Sequence, residues 1–320
     1  MLARVVELAG ARRAIDARVV QSLWSGYGEI VRVSLECGDH ASVIVKHVRP
    51  PPCRDLDGAA ARAHARKLRS YDVEMAWYRA HARRCDDACR APHCLGVERD
   101  DEGWLFVLED LDAAGFAERR HVLSERDVEE CLGWLASFHA TFVHRRQDAE
   151  SFSDLWPIGT YWHLGTRSDE LDAMPQGPLH DAASRIDAAL ESGLHRTLVH
   201  GDAKTANFCF ASSNHRVAAV DFQYVGGGCG MKDVVYFFSC LGAARCERSA
   251  ERWLDAYFER LRSALSESSI DGAALEHEWR ALLPLAWADL ERFLAGWARG
   301  HHDRYAETMT QRALAQLQES

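Results

Sequence analysis

One stretch near the middle of the chain sets two acids and an amide at a demanding spacing. Asp202 and Asn207 lie in a His-x-Asp-x-x-x-x-Asn pattern that begins at His200, and Asp221 follows in an Asp-Phe-Gln sequence. Between the two motifs, apolar residues flank a polar run at 212–215, which predicts a strand, a turn and a second strand. Such a hairpin would bring Asp202 and Asn207 close to Asp221.

These side chains suit phosphoryl transfer. One carboxylate can accept the proton of an attacking hydroxyl, while a second carboxylate and an amide oxygen can hold the magnesium that neutralises nucleotide phosphates. The set therefore predicts ATP and Mg²⁺ as cofactors. The alternative is a structural loop in which the acids are buried and hydrogen-bonded.

The catalytic loop of kinases has the same spacing, and Asp221-Phe222-Gln223 stands where protein kinases have Asp-Phe-Gly. The stretch resembles that of the kinase-like small-molecule phosphotransferases, which include aminoglycoside phosphotransferases, choline kinases and especially the ecdysteroid-kinase-like group. This resemblance implies that Asp202 is the catalytic base and that Asn207 and Asp221 bind the metal. Lys204, in a register where protein kinases carry a lysine, would offset charge in the transition state.

The N-terminal region alternates in the way that strands do. Its apolar pattern predicts three strands in the first 46 residues, joined by turns. Gly26 and Gly28 occupy the first turn, where glycines would let backbone amides approach phosphates without a side-chain clash. A plain hairpin turn is the alternative interpretation. Three strands with a glycine-rich first turn resemble the N-terminal lobe of a kinase.

The third strand ends in Val43-Ile44-Val45-Lys46, where kinases have Val-Ala-Ile-Lys. The resemblance implies that Lys46 reaches the α- and β-phosphates and that Ile44, on the same strand face, covers the adenine. A helix predicted over residues 66–84 carries Glu74, which by the same resemblance pairs with Lys46. A surface lysine and an exposed helix acid are the alternatives. The proline- and arginine-rich residues 50–66 predict a mobile, solvated insertion that leads into this helix.

Two further strands, at 94–98 and 104–108, lead into Glu109-Asp110-Leu111. In the similar families this segment is the hinge between lobes, so backbone groups at Glu109 and Leu111 are expected to contact adenine. The predicted fold is of the α+β class: a bilobal protein-kinase-like fold with a small β-rich N-lobe at residues 1–111 and a larger, mostly helical C-lobe at residues 112–320. The C-lobe would hold the catalytic loop and the acceptor site.

Local signals mark several elements of the second half. Ser124 and Asp127 predict a capping box at the start of a helix. The glycine-rich residues 225–230 predict a very flexible segment, and its brevity argues against a peptide substrate. Asp233 then opens an apolar helix, either as its N-cap or, by the resemblance, as the aspartate that supports the catalytic loop.

The C-terminal part is predicted to be helical at about residues 249–264, 275–298 and 303–317. Pro284 is expected to kink or divide the second of these helices. Trp279 and Trp287, with Asp289 nearby in sequence, would suit an acceptor pocket, although such aromatic residues are more often core.

Composition indicates which partners and which cellular compartment to expect. The formal net charge of −10 argues against nucleic acid as the main partner, and no apolar run approaches the roughly 20 residues that a membrane helix needs. Ten cysteines in a chain without a secretory signal indicate reduced thiols and a cytoplasmic protein. His81, Cys85, Cys89 and His93 could bind zinc, but helix-end packing is favoured because Pro92 interrupts their helical spacing.

The predicted acceptor is a hydroxyl of a small molecule. A negative net charge would attract an amine, so an aminoglycoside- or choline-type amino-alcohol kinase is one alternative. However, the loop from Asp202 to Asn207 lacks the His-Pro-Gly run common in aminoglycoside enzymes. A nucleotide-binding pseudokinase scaffold is the other alternative. The sequence leaves open the acceptor, whether it is cationic or neutral, and the oligomeric state.

Overall fold

The computed structural model describes residues 1–51, 57–148, 152–212, 215–298, 300 and 302–319. In chain order the helices are α1 (Leu2–Leu8), α2 (Gly58–Ala76), α3 (Glu125–Phe142), α4 (Ser168–Ala173), α5 (Pro178–Ser192), α6 (Met231–Ser239), α7 (Ala243–Ala264), α8 (Gly272–Trp297) and α9 (Arg304–Glu319). The strands are β1 (Arg13–Ser22), β2 (Gly28–Glu36), β3 (Ser42–Val48), β4 (Cys94–Asp100), β5 (Gly103–Glu109), β6 (His144–Arg145), β7 (His195–Val199), β8 (Phe208–Phe210), β9 (Val217–Ala219) and β10 (Gly226–Gly228). A β-rich N-terminal part and a mostly helical remainder confirm the predicted α+β class.

The chain divides into two compact units. The first unit comprises Met1–Arg119 and Cys209–Val220, and the second comprises Arg120–Phe208 and Asp221–Ser320. Strands β8 and β9 pair with each other, which confirms the predicted hairpin, although residues 213–214 of its turn lie outside the described residues. The lobe boundary after residue 111 stays a prediction.

The first unit contains an antiparallel sheet with strand order β1-β2-β3-β5-β4. Strand alternation puts Val31, Val33, Val43 and Val45 on one face, where they pack with Val5 of α1 in a buried cluster. Strand β1 pairs along nearly the whole length of β2, although its mostly exposed residues carry little apolar alternation.

Helix α2 also begins earlier than predicted, at Gly58, because the alanine-rich residues that follow are good helix formers. The prediction that residues 50–66 form a loop-like insertion is therefore wrong for residues 58–66, while residues 52–56 lie outside the described residues. The helix continues as a π turn at Trp77–His81 and a 3-10 turn at Ala82–Arg84.

The second unit is built mainly from helices. Helix α3 begins with the predicted capping box, because Ser124 and Asp127 exchange side-chain-to-backbone hydrogen bonds. Helix α3 packs on α7, and α8 packs on α4, α5, α6 and α9. Pro284 does not divide α8, which runs from Gly272 to Trp297 as one helix. None of the helices in the described ranges is both long and apolar enough to cross a membrane.

The glycine run at 226–228 forms a strand, so the prediction of a very flexible segment is wrong. Strand β10 pairs with β7, with Gly226 opposite Val199. A Cβ atom on Gly226 would overlap with the backbone of Trp156, and one on Gly227 would crowd the carbonyl oxygen of Pro157. The glycines are therefore required by close backbone approach rather than by flexibility.

Two glycines near β2 give a matched test of this kind of packing. Gly28 has a φ of +131° and a Cβ there would overlap with the carbonyl oxygen of His47, whereas Gly26 has a φ of +75° and open space around it. We expect Gly28→Ala to lower the free energy of unfolding by at least about 3 kcal/mol, because it adds overpacking to backbone strain. Gly26→Ala should cost only about 1–2 kcal/mol for the left-handed backbone.

Chemical denaturation of the two variants beside the wild type measures both values. Equal losses in the two variants would show that the Gly28 backbone moves to accept a side chain.

Candidate active site

A sharp turn after β7 starts the loop that carries Asp202. Gly201 has a φ of +79°, and a Cβ there would overlap with the carbonyl oxygen of Tyr224. Only glycine fits this turn without displacing the backbone of Tyr224. No role was predicted for Gly201. Its place between His200 and Asp202 was the signal in the sequence that a tight turn precedes the catalytic loop.

Asp233 holds the same turn from α6. Its carboxylate accepts hydrogen bonds from the backbone N–H groups of His200 at 2.6 Å and Gly201 at 2.9 Å. The third contact of this carboxylate is with Nε2 of His139 at 3.1 Å, and Nδ1 of His139 contacts the hydroxyl of Tyr257 at 2.7 Å. Gly230 is the N-cap of α6, so Asp233 supports the loop rather than capping the helix.

Two side chains contact the carboxylate of Asp202. The Lys204 ammonium lies 2.8 Å from Oδ2, and Nδ2 of Asn207 donates to the same oxygen at 3.0 Å. Nδ2 of Asn207 also donates to the backbone carbonyl of Asp202 at 2.8 Å. Asp202, Lys204 and Asn207, predicted as a catalytic group, are thus in direct contact.

Burial raises the pKa of the Asp202 carboxyl to about 6, and the negative charge of Asp221 adds to this rise, while Lys204 and Asn207 oppose it. Burial alone would lower the pKa of Lys204, but attraction to Asp202 and Asp221 raises it overall. The charge of Asp221 thus acts on both Asp202 and Lys204. At neutral pH the carboxylate of Asp202 is therefore mostly ionised.

Asp221 has a φ of +70°, which is uncommon for any residue except glycine and indicates local strain of a kind concentrated at functional sites. Its Oδ1 accepts a hydrogen bond from Nε2 of Gln223 at 2.7 Å. Because Nδ2 of Asn207 donates to Asp202, the amide oxygen is the atom of this side chain that remains as a metal ligand. A carboxylate and an amide oxygen beside a second carboxylate fit Mg²⁺, which keeps water and phosphate oxygens as its other ligands.

The zinc alternative receives no support. Across the described ranges, no three His, Cys, Asp or Glu side chains are grouped as metal ligands, and this includes His81, Cys85, Cys89 and His93. Cys85 instead makes a side-chain hydrogen bond with the buried Cys89, which raises the pKa of its thiol. Helix-end packing therefore stays the prediction for this cluster.

The first unit contains a buried ion pair. Nζ of Lys46 lies 2.6 Å from Oε2 of Glu74, and the two side chains are only 7% and 2% exposed. The ammonium also lies 5.6 Å from the ring centre of Tyr71 and 5.9 Å from that of Phe106. The structure thus brings together the two residues that the sequence paired. Ile44 is half-buried on the strand face that carries Lys46, opposite Val43 and Val45.

Comparison with protein families then decides the class of the chain. The model of the APH phosphotransferase enzyme family matches residues 37–270, which is most of the chain. The chain belongs to this phosphotransferase family. It is therefore an enzyme of the small-molecule kinase group, as the sequence predicted. A comparison with curated protein sequences finds no match.

Several solved structures are similar to this phosphotransferase. An aminoglycoside-3'-phosphotransferase of type VIII is 15% identical over 85% of this chain and 93% of that chain, with a TM-score of 0.44. An aminoglycoside phosphotransferase from Streptomyces rimosus, solved with ADP and streptomycin, is 14% identical over 83% and 92%, with a TM-score of 0.43. An ethanolamine kinase from Plasmodium vivax is 9% identical over 94% and 82%, with a TM-score of 0.47.

The side chains of Glu109 and Leu111, which were predicted to lie at the hinge, have structural partners. The carboxylate of Glu109 contacts the Arg90 guanidinium at 2.6 Å and accepts the backbone N–H of His93 at 2.9 Å. Leu111 is buried in a cluster that includes Phe116, and its carbonyl accepts the backbone N–H of Phe116 at 2.8 Å. Contact of their backbone groups with adenine stays a prediction.

Asp110, for which no role was predicted, lies directly after β5 and accepts several hydrogen bonds. Its carboxylate accepts two hydrogen bonds from Arg32, at 2.6 and 3.0 Å, and one from Ser42 at 2.7 Å. Burial alone would raise the pKa of Asp110, but Arg32 and Ser42 lower it overall. An acid directly after an apolar strand was the only signal in the sequence.

Trp279 and Trp287 are not the aromatic residues that lie near Asp202. Trp279 and Trp287 are fully buried, and Nε1 of Trp279 donates to the carbonyl of His195 at 3.2 Å, so both serve the core. Tyr161 and Tyr236 are instead close enough to Asp202 to be affected by its charge. Burial raises the pKa of each phenol, and the negative charge of Asp202 raises it further.

The buried Lys46–Glu74 pair can be tested by a double substitution. Glu74→Leu alone should lower the free energy of unfolding by about 3–5 kcal/mol, because it leaves a buried ammonium without its carboxylate. Lys46→Met with Glu74→Leu should recover most of this loss, because neither charge then remains buried. Urea denaturation of the single and double variants measures the difference. A double variant no more stable than the single one would contradict this interpretation.

Proposed function

We propose that this phosphotransferase moves the γ-phosphate of ATP to a hydroxyl of a small molecule, with Asp202 as the base. The observation that carries the proposal is the state of the Asp202 carboxylate. It is 6% exposed, has a pKa raised to about 6, and is held by Lys204 and Asn207 on a loop fixed by Asp233. A base with a pKa just below neutral is ionised at working pH and still accepts a proton readily.

In the proposed reaction the acceptor hydroxyl donates a hydrogen bond to Asp202. As its oxygen forms a bond to the γ-phosphorus, the proton passes to the carboxylate. The bond from phosphorus to the bridging oxygen breaks, and its electron pair remains on ADP. Lys204 sits beside the base and would offset negative charge on the transferring group.

Asn207 and Asp221 would hold Mg²⁺ in this proposal. The bound ion would neutralise charge on the phosphates. Burial raises the pKa of Asp202 most, and the negative charge of Asp221 adds to the rise. A cation bound at Asp221 would relieve this repulsion, which supports the assignment.

The nucleotide-binding residues of the proposal come from the first unit. Lys46, fixed by Glu74, would contact the α- and β-phosphates, and backbone amides at Gly26 and Gly28 would approach them. Ile44 would cover the adenine, and backbone groups at Glu109 and Leu111 would bind its edge. The burial of the Lys46–Glu74 pair supports this role, because a buried ion pair contributes little to stability and is retained for another reason.

A screen of hydroxylated metabolites tests the proposal. ADP release and acceptor phosphorylation are measured for wild type, Asp202→Asn and the control Asp181→Asn, an exposed acid on α5. We expect Asp202→Asn to lower kcat by roughly 10²–10⁴-fold, because general base catalysis is lost. The control should match wild type.

Wild-type turnover by Asp202→Asn would contradict the role of the base. Nucleotide binding without turnover in any of the three proteins would favour the scaffold alternative.

The pH profile gives a separate test. Because Asp202 must be ionised to accept a proton, kcat/KM for the acceptor should fall about tenfold per pH unit below a pKa near 6. Lys204→Met removes the cation that favours the ionised carboxylate, so the acidic limb should move to higher pH by about one unit. An unchanged limb, or one that moves to lower pH, would contradict the assignment of this pKa to Asp202.

A further inference from the structure

An aromatic surface lies directly beside the proposed base. The backbone N–H of Tyr161 donates to the carbonyl of Gly201 at 3.1 Å, which ties Tyr161 to the loop that carries Asp202. The ring of Tyr161 lies 5.6 Å from that of Tyr236, and the ring of Trp162 lies 4.7 Å from Tyr236. Tyr161 and Tyr236 are each partly exposed. An acceptor that reaches Asp202 would meet these rings.

The same tyrosine is also one wall of an aromatic box. Phe293 packs edge-on against Tyr161 at 5.1 Å, and Trp297 stacks on Phe293 at 5.6 Å. Three rings arranged in this way are the usual receptor for an alkylammonium group, because their faces attract a cation.

Arg167 already occupies this box. Its guanidinium carbon lies 5.4 Å from the ring centre of Tyr161, 5.3 Å from Phe293 and 5.4 Å from Trp297. Nε of Arg167 donates to the carbonyl of Tyr161 at 2.6 Å, and Nη1 contacts Oε1 of Glu170 at 2.9 Å. Arg167 is only 6% exposed. The box therefore holds a cation of the protein itself.

Two carboxylates lie near the box, and each has a cation of the protein beside it. Oε1 of Glu170 is bound by Arg167, while its Oε2 is buried and accepts no hydrogen bond from the described residues. Asp289 is 1% exposed, with Arg292 at 2.8 Å and Lys232 at 3.5 Å. An ammonium group placed here would meet the positive charge of Arg167, and each of the two carboxylates already faces a cation of the protein.

We propose that the acceptor is an uncharged hydroxylated molecule with a ring or other flat apolar face that lies against Tyr161 and Tyr236, and that Arg167 excludes alkylammonium acceptors. This inference rests on the proposed function. Ring faces bind flat apolar groups without requiring charge. Repulsion by Arg167 works against a cationic competitor, and the carboxylates of Glu170 and Asp289 each already face a cation of the protein.

Matched acceptors that differ only in charge test the inference. Choline and its neutral isostere 3,3-dimethyl-1-butanol have nearly the same shape, and 2-cyclohexylethanol adds a ring. Each is tested, together with amine-bearing and amine-free pairs from the metabolite screen, for Asp202-dependent phosphorylation by the full chain. We expect kcat/KM for the neutral member of each pair to exceed that of the cationic member at least tenfold.

Arg167→Leu is the informative variant because it empties the box. In a variant shown to be folded by circular dichroism, the ratio of kcat/KM for choline to that for its isostere should rise at least tenfold. Arg167→Lys keeps a cation in the box, and its ratio should stay close to that of wild type. If Arg167→Leu does not fold, the wild-type ratios alone decide.

Asp202-dependent turnover with a preference for amines would overturn this inference and leave the proposed function standing. An unchanged ratio in folded Arg167→Leu would overturn the role of Arg167. Turnover of ATP that does not depend on Asp202 would instead overturn the proposed function.

Discussion

The Asp233 carboxylate fixes the backbone on which the proposed chemistry depends. It is fully buried and accepts the backbone N–H groups of two successive residues, His200 and Gly201, at 2.6 and 2.9 Å. His139 and Tyr257 extend the same network into the core. Buried networks of this kind are rigid only when every member is paired. Through it, α6 and α3 determine where Asp202 stands.

The negative charges of Asp202, on this loop, and of Asp221, after β9, act on each other's surroundings. Asp202 is buried, and Asp221 nearby raises the pKa of its carboxyl further. Asp221 also adopts a backbone conformation that few residues other than glycine adopt. Such costs persist where the surrounding structure enforces them, and they are typical of sites arranged for a ligand. A divalent cation with nucleotide phosphates would turn this repulsion into attraction, which is why the proposed function assigns Asn207 and Asp221 to magnesium.

Much of the fold and of the residue grouping could be predicted from the sequence, because these features follow from local patterns. Alternation of apolar residues indicated the sheet and the β8–β9 hairpin, and a known motif spacing brought Asp202 and Asn207 together. Features set by tertiary contact could not be predicted. The sequence allowed Trp279 to lie either in the core or in a pocket, and the structure places it in the core. The close approach of the Trp156 backbone, which explains Gly226 of β10, is visible only in the structure. Arg167 likewise becomes part of an aromatic box only in the fold.

The central proposal is that Asp221 and Asn207 hold a metal ion together with the nucleotide. Isothermal titration calorimetry of ATP binding, with and without Mg²⁺, tests this directly in wild type and Asp221→Asn. Mg²⁺ should strengthen nucleotide binding to the wild type at least tenfold. Asp221→Asn should lose this gain and still bind ATP in the absence of the metal. An equal gain from Mg²⁺ in both proteins would contradict it.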